Sequence, residues 1–138
     1  MTVIRPGDAG DLDAVAAIQR ASPGAANWNP GDYLHQDFRV AVDGNRVVGF
    51  LVARTLLADE REILNLAVAP DSRRKGVARA LLATVLEAFH GSVFLEVRES
   101  NGIAQAFYKS LGFKELSRRQ GYYSSPPEAG IVMKFHSC

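Results

Sequence analysis

Cysteine is nearly absent from this sequence. The one example among 138 residues, Cys138, excludes a disulfide framework and a cysteine-built metal cluster. Histidine is scarce too: His35, His90 and His136 stand far apart, without metal-ligand spacing, and read as structural. No metal is therefore expected. Charge of one sign is also lacking. Lys and Arg number 16 against 15 Asp and Glu, a formal net charge of +1, which argues against bulk electrostatic binding to nucleic acid or to a membrane. No apolar run approaches the roughly 20 residues of a membrane-spanning helix, and the first residues lack the apolar segment of a secretory signal. These absences suit a reducing cytoplasm. Apolar content of 47% and charged content of 22% are those of a soluble globular protein. The length predicts a single domain over 1–138, able to bury a core without staples.

The predicted elements come in mixed order. Val3-Ile4 reads as a short strand closed by Pro6-Gly7. Asp8 or Asp11 can cap a helix whose Leu12, Val15 and Ile18 or Gln19 face the core. Residues 21–29 read as a loop carrying the single tryptophan, Trp28, and Asn29-Pro30 opens a short helix to about Leu34. Strands are predicted over 38–42 and 47–55, around the hairpin chemistry of Asp43-Gly44-Asn45, and over 63–68, 92–98, 115–120 and 131–135. A turn is expected at 59–61 and a loop at 121–130. A long helix after Gly76 stops at His90-Gly91, and another runs to about Ser110. Helices inserted between strands of a largely antiparallel sheet predict an α/β fold, one mixed sheet with helices on both faces.

The stretch 63–89 says most about chemistry. Its apolar, β-branched start is a strand, which Pro70 and Asp71 end. A basic turn, Arg73-Arg74-Lys75-Gly76-Val77-Ala78, leads directly into a helix with an apolar stripe at Val77, Ala80, Leu81, Thr84, Val85 and Ala88. First-turn N–H groups lack intrahelical partners and the helix dipole favours negative charge, so such a start makes an anion site. Gly76 and Ala78 admit phosphate oxygens to the backbone, and Arg73, Arg74, Lys75 and Arg79 surround them with positive charge. A diphosphate clamp is expected; a basic helix start without a ligand is the alternative. Val77 after Gly76 does not fit a mononucleotide P-loop, which needs a lysine and a hydroxyl there, and one glycine is too few for a dinucleotide fingerprint. The pattern Val-Ala-Pro-x-x-Arg-x-x-Gly-x-Ala resembles the acetyl-coenzyme A motif of the GNAT superfamily of N-acetyltransferases, with Ala78 where that family usually has a second glycine.

Glu96 interrupts the apolar run Val93-Phe94-Leu95-Glu96-Val97. An acid there lies either on a solvated face or at the mouth of a cleft, as a general base. In the next helix Ile103, Ala106, Phe107 and Leu111 form the expected core stripe. Tyr108 then falls roughly 100° away, as an amphipathic boundary residue or a phenol donor. In order, Leu95-Glu96-Val97-Arg98-x-Ser100-Asn101, Ala106-Phe107-Tyr108-x-Ser110-Leu111-Gly112-Phe113 and Tyr122-Tyr123 closely resemble the bacterial RimI type of GNAT enzyme. Those enzymes acetylate the N-terminal alanine of a small-subunit ribosomal protein. The likeness runs over about 63–133, and the first 60 residues match weakly.

The resemblance implies a GNAT-like fold, acetyl-coenzyme A as co-substrate and a protein or peptide N-terminus, a ribosomal protein among them, as acceptor. It implies Glu96 as general base and Tyr108 as general acid. It implies Leu66, Ala67 and Val68 as the backbone beside the pantetheine arm, the turn from Arg73 to Arg79 around the pyrophosphate, and Asn101 in contact with the cofactor. Glu62 is the rival base, because acids on the central strand serve that role in other GNAT branches. The tyrosines of 122–128 could clamp a peptide. A GNAT enzyme acting on a small-molecule amine and a non-catalytic coenzyme A binder stay open; the joint presence of Glu96 and Tyr108 speaks against the second.

Overall fold

The structure, a computed structural model, describes residues 2–22, 24–26, 28–87, 89–124 and 127–137. Among the described residues, seven strands and three α-helices follow one another as β1 (Thr2–Pro6), α1 (Leu12–Arg20), β2 (Asp37–Asp43), β3 (Arg46–Leu57), β4 (Glu60–Val68), α2 (Val77–Leu86), β5 (Gly91–Arg98), α3 (Gly102–Ser110), β6 (Lys114–Ser124) and β7 (Pro127–Ser137). The strands take the order β1-β2-β3-β4-β5-β7-β6. Pairing is antiparallel for β1–β2, β2–β3, β5–β7 and β6–β7, and parallel for β4–β5. This is the mixed, largely antiparallel sheet that the element order predicts. By contact the chain falls into two compact units, Met1–Arg54 with Ile63–Ala88 and Thr55–Glu62 with Phe89–Cys138.

In the first unit Asp8 and Asp11 close the 3-10 turn Ala9–Asp11 that leads into α1; Asp11 is the N-cap residue of α1, but its side chain makes no cap bond to that helix. The Gly10 N–H donates to Asp8 Oδ1 at 2.9 Å, and the Asp8 N–H donates to Asp11 Oδ2 at 2.9 Å, a reciprocal capping box. Arg5 adds two bonds to Asp11, at 2.8 and 2.9 Å. The expected face of α1 turns inward: Val15, Ile18 and Gln19 are buried, with Leu12 packed at the margin. They meet Tyr33, Phe38, Val40, Phe50 and Val52, and the Tyr33 and Phe50 rings stack at 5.8 Å. Burying each large apolar side chain in such a cluster contributes roughly 1.5–3 kcal/mol. Asn29 caps the short helix Pro30–His35 as expected, accepting from the Gly31 N–H at 3.0 Å.

The second unit departs further from the sequence reading. Residues 121–130 are mostly strand rather than loop: β6 and β7 form a hairpin in which Tyr123 pairs with Glu128 and Ser124 with Pro127. A proline at the first residue of a strand needs no ladder donor, so Pro127 does not break it. Ser125 and Pro126, within the stretch read as a peptide clamp, lie outside the described residues, as do Ala88 and Cys138. The turn between β3 and β4 occupies 58–59, with Glu60 already in strand. α2 ends at Leu86, and Gly91 opens β5 rather than closing that helix. Its φ is +146°, and a Cβ there would lie 2.2 Å from the Asp59 carbonyl oxygen. The stripe expected on α3 is wrong. Ile103 is 88% exposed and Ala106 is exposed, whereas Tyr108 is buried. The inward face is chosen by aromatic packing at the end of the helix: Tyr108 lies 5.6 Å from Phe113, and Phe113 lies 5.4 Å from Phe135.

Candidate active site

In the first unit, β4 runs out at Val68, and a short 3-10 turn, Pro70–Ser72, carries the chain into the basic turn. Two residues of that turn have left-handed backbone, Arg74 at φ +63° and Gly76 at φ +80°. For arginine this conformation costs about 1–2 kcal/mol, the kind of local strain that collects at ligand sites. Gly76 is the N-cap of α2 and has no side chain with which to cap the helix; its first turn holds no acidic residue. The first helical N–H groups, from Val77, Ala78 and Arg79, therefore have no intrahelical partner. Arg74, Lys75 and Arg79 are exposed beside them. A helix start whose N-cap has no side chain, with cations and two left-handed residues beside it, has the chemistry with which an anion can be held.

Arg73 stands apart from that set. Its Nε donates to the Val68 carbonyl at 3.0 Å, and one terminal nitrogen donates to the Ala21 carbonyl and to Ser22 Oγ, each at 3.1 Å. Its guanidinium thus fastens the 21–22 loop to the end of β4 instead of extending toward a phosphate. A second fastening lies one turn of strand away. Asn65, buried in β4, accepts from the N–H groups of Ala26 and Leu66 at 3.2 and 3.1 Å. Its amide donates to the Ala26 carbonyl at 3.0 Å, to Tyr33 Oη at 3.1 Å and to Gln19 Oε1 at 3.2 Å. Tyr33 also donates to Gln19 Oε1 at 2.5 Å, and Gln19 holds the Trp28 carbonyl at 2.6 Å. This satisfied polar network holds Ala26 and the Trp28 carbonyl beside the strand that carries Leu66, Ala67 and Val68, of which the last two are buried. The sequence reading passed over Asn65; an asparagine inside Ile63-Leu64-Asn65-Leu66-Ala67-Val68 was the available signal.

In the second unit, Glu96 sits on β5 with its side chain 13% exposed, so it does not lie on a solvated face. Its Oε1 accepts from Arg119 on β6 at 2.7 Å. Its Oε2 is buried and has no hydrogen-bond partner among the described residues. Sequence reasoning missed Arg119, because no local spacing joins residues that meet only through strand pairing. Burial pushes the Tyr108 phenol above its ordinary range, so it stays protonated at any working pH. Asn101 is the N-cap of α3, its Oδ1 accepting from the Ala104 N–H at 3.1 Å. The turn before it is tied to β7: Glu128 accepts from Arg98 at 2.9 Å, from the Ser100 N–H at 3.0 Å and from Ser100 Oγ at 3.1 Å. Arg118 pairs with Glu99. Glu62 lies on β4, opposite Phe94 in the parallel register.

Comparison with known proteins gives these residues a family. Residues 14–113 match the model of the acetyltransferase (GNAT) family. The ribosomal protein bS18 alanine N-acetyltransferase of Haemophilus ducreyi is 37% identical over 134 residues, covering 91% of this chain and 90% of that protein. The crystal structure of the ribosomal-protein-S18-alanine N-acetyltransferase from Escherichia coli superposes with a TM-score of 0.85 at 29% identity, covering 100% of this chain and 96% of that one. Ard1 from Thermoplasma volcanium superposes with a TM-score of 0.91 at 29% identity, covering 99% and 98%. This chain belongs to the GNAT family of acetyltransferases and is an N-acetyltransferase.

Proposed function

We propose that this protein transfers the acetyl group of acetyl-coenzyme A to the N-terminal α-amine of a protein whose first residue is alanine, a ribosomal protein being the leading acceptor, in the cytoplasm. The observation that carries the cofactor is the acid-free start of α2, whose N-cap has no side chain, with its left-handed Arg74 and Gly76. Those N–H groups, with Arg74, Lys75 and Arg79, fit a diphosphate; the Arg73 side chain braces the loop instead. The acceptor rests on the likeness to enzymes named for the alanine of ribosomal protein bS18, which spans nine-tenths of both chains.

When bound, acetyl-coenzyme A supplies the acyl carbon and a thiolate leaving group. Glu96 removes the amine proton, directly or through a water. An α-amine has a pKa of about 7.7–8.0 and a lysine of about 10.4, so at neutral pH a lysine costs roughly 3.5 kcal/mol more to deprotonate. A single carboxylate therefore suits the α-amine. Backbone N–H groups around Val68 stabilise the charge that develops on the carbonyl oxygen, worth a few kcal/mol in such sites. Tyr108 donates a hydrogen bond to the departing sulfur. A thiol with a pKa of about 8.5 is a stronger acid than a buried phenol, so stabilisation of the thiolate, rather than full proton transfer, is the part Tyr108 can play.

The test sets an Ala-starting peptide against the same peptide blocked at its N-terminus and carrying an internal lysine. Mass spectrometry should find the acetyl group on the α-amine alone. Transfer to the lysine, or activity only toward small amines, would overturn the acceptor assignment and leave the family unchanged.

A further inference from the structure

We infer that Arg119 is a positioning residue for the general base, holding one oxygen of Glu96 so that the other is presented to the reacting proton. The inference rests on the reading of Glu96 as that base. A carboxylate on a flexible side chain is an imprecise base, and misplacement by about 1 Å can cost on the order of a hundredfold in rate. Here the two oxygens are treated differently. Oε1 is fixed by a charge-assisted bond of 2.7 Å to the Arg119 guanidinium. Oε2 is buried without a partner among the described residues. A buried acceptor left unpaired costs about 1–3 kcal/mol, and an amine or a bridging water would relieve that cost by donating to Oε2.

The sheet explains how a residue on an edge strand reaches this carboxylate. Glu96 pairs across β7 with Val132, which pairs with Ser117 on β6; the next row is Arg98, Gly130 and Arg119. Arg119 and Ser117 are two apart, hence on the same face as Glu96. The arginine therefore crosses β7 diagonally, past Gly130, where no side chain stands in the way. Arg98 shares that face but donates to Glu128, which Ser100 also holds. The Arg119 side chain is 55% exposed, so its removal leaves the core of the unit intact.

Four variants test this: Arg119→Ala, Arg119→Lys, Glu96→Gln, and Arg119→Ala combined with Glu96→Gln. Arg119→Ala should lower kcat about tenfold to a hundredfold while the KM for acetyl-coenzyme A stays at its wild-type value. Arg119→Lys should recover part of that loss. Millimolar guanidinium chloride should restore part of the kcat of Arg119→Ala, whereas sodium chloride at equal ionic strength should not. In the Glu96→Gln background Arg119→Ala should cost nothing further, because both substitutions then act through one group. Wild-type kcat in Arg119→Ala alongside a collapse in Glu96→Gln would overturn the positioning role and leave the base in place. An equal loss from Arg119→Ala in both backgrounds would also overturn it. Wild-type kcat in Glu96→Gln would instead remove the base itself, and the role of Arg119 with it.

Discussion

Glu96 and Tyr108 differ in how much of their setting a sequence can carry. An acid within Val93-Phe94-Leu95-Glu96-Val97 stands out by composition alone, and the half-buried site on β5 agrees with that signal. Its partner does not stand out, since Arg119 lies 23 residues away and meets it only through two strand pairings. Tyr108 was legible as a residue and misread in its direction. Helical spacing offers two apolar faces on α3, and only the rings of Phe113 and Phe135 decide between them. If the base is Glu96, Glu96→Gln should lower kcat by roughly 10²–10⁴ with little change in cofactor affinity. A collapse confined to Glu62→Gln would move the base to β4. Tyr108→Phe should lower kcat by about 10- to 100-fold, the worth of one hydrogen bond to a charged atom. Burial raises the Tyr108 phenol, so the profile of kcat against pH should show no tyrosine limb up to about pH 10; a limb below that value that Tyr108→Phe abolishes would contradict the assignment.

The start of α2 is the element whose chemistry is most local, and it is correspondingly the most legible. Strand, turn and helix are contiguous in sequence, so Gly76 and the cations around it could be placed without tertiary information. The exception is Arg73, whose hydrogen bonds to Ala21 and Ser22 span about fifty residues of sequence. The hairpin of β6 and β7 was hidden for a different reason: Gly121, Pro126, Pro127 and Gly130 read as loop, yet a glycine can sit in a paired strand and a proline at its first position. Two substitutions separate strain from charge in the turn. Gly76→Glu places a negative side chain at a left-handed position and should abolish the rise in melting temperature that acetyl-coenzyme A produces by mass action. Arg74→Gly relieves the left-handed arginine and should raise the stability of the free protein by about 1 kcal/mol. It removes a cation as well, so the same thermal melts should show a smaller shift on adding cofactor. A larger shift would mean that Arg74 does not face the anion.

Across the whole molecule the net charge of +1 conceals charges that are arranged, not merely balanced. Each compact unit contains a carboxylate tied to an arginine. In the first, the Arg5 hydrogen bonds hold Asp11 below the usual carboxylate range against the opposing pull of burial. In the second, Arg98 does the same for Glu128, with Ser100 assisting. Composition could not reveal this, because fifteen acids and sixteen bases say nothing of which ones meet. The consequence is a pH dependence of definite sign. A carboxylate whose folded pKa is depressed binds fewer protons in the folded state than in the unfolded state. It therefore contributes stability that is fully present above the unfolded value of about 4 and is lost as pH falls through that value toward the folded one. Melting temperatures should be level from about pH 7 down to pH 5 with respect to these two groups, then decline on further acidification. Arg5→Gln should lower the melting temperature at neutral pH, where the side chain of Asp11, 7% exposed, would be left without its cation. It should also make the acid decline shallower, since Asp11 would then titrate nearer its unfolded value. Calorimetric melts of both proteins at pH 3, 4, 5 and 7 measure the two slopes directly. Parallel curves with a constant offset would show that Arg5 supports the fold by packing and not through the Asp11 carboxylate.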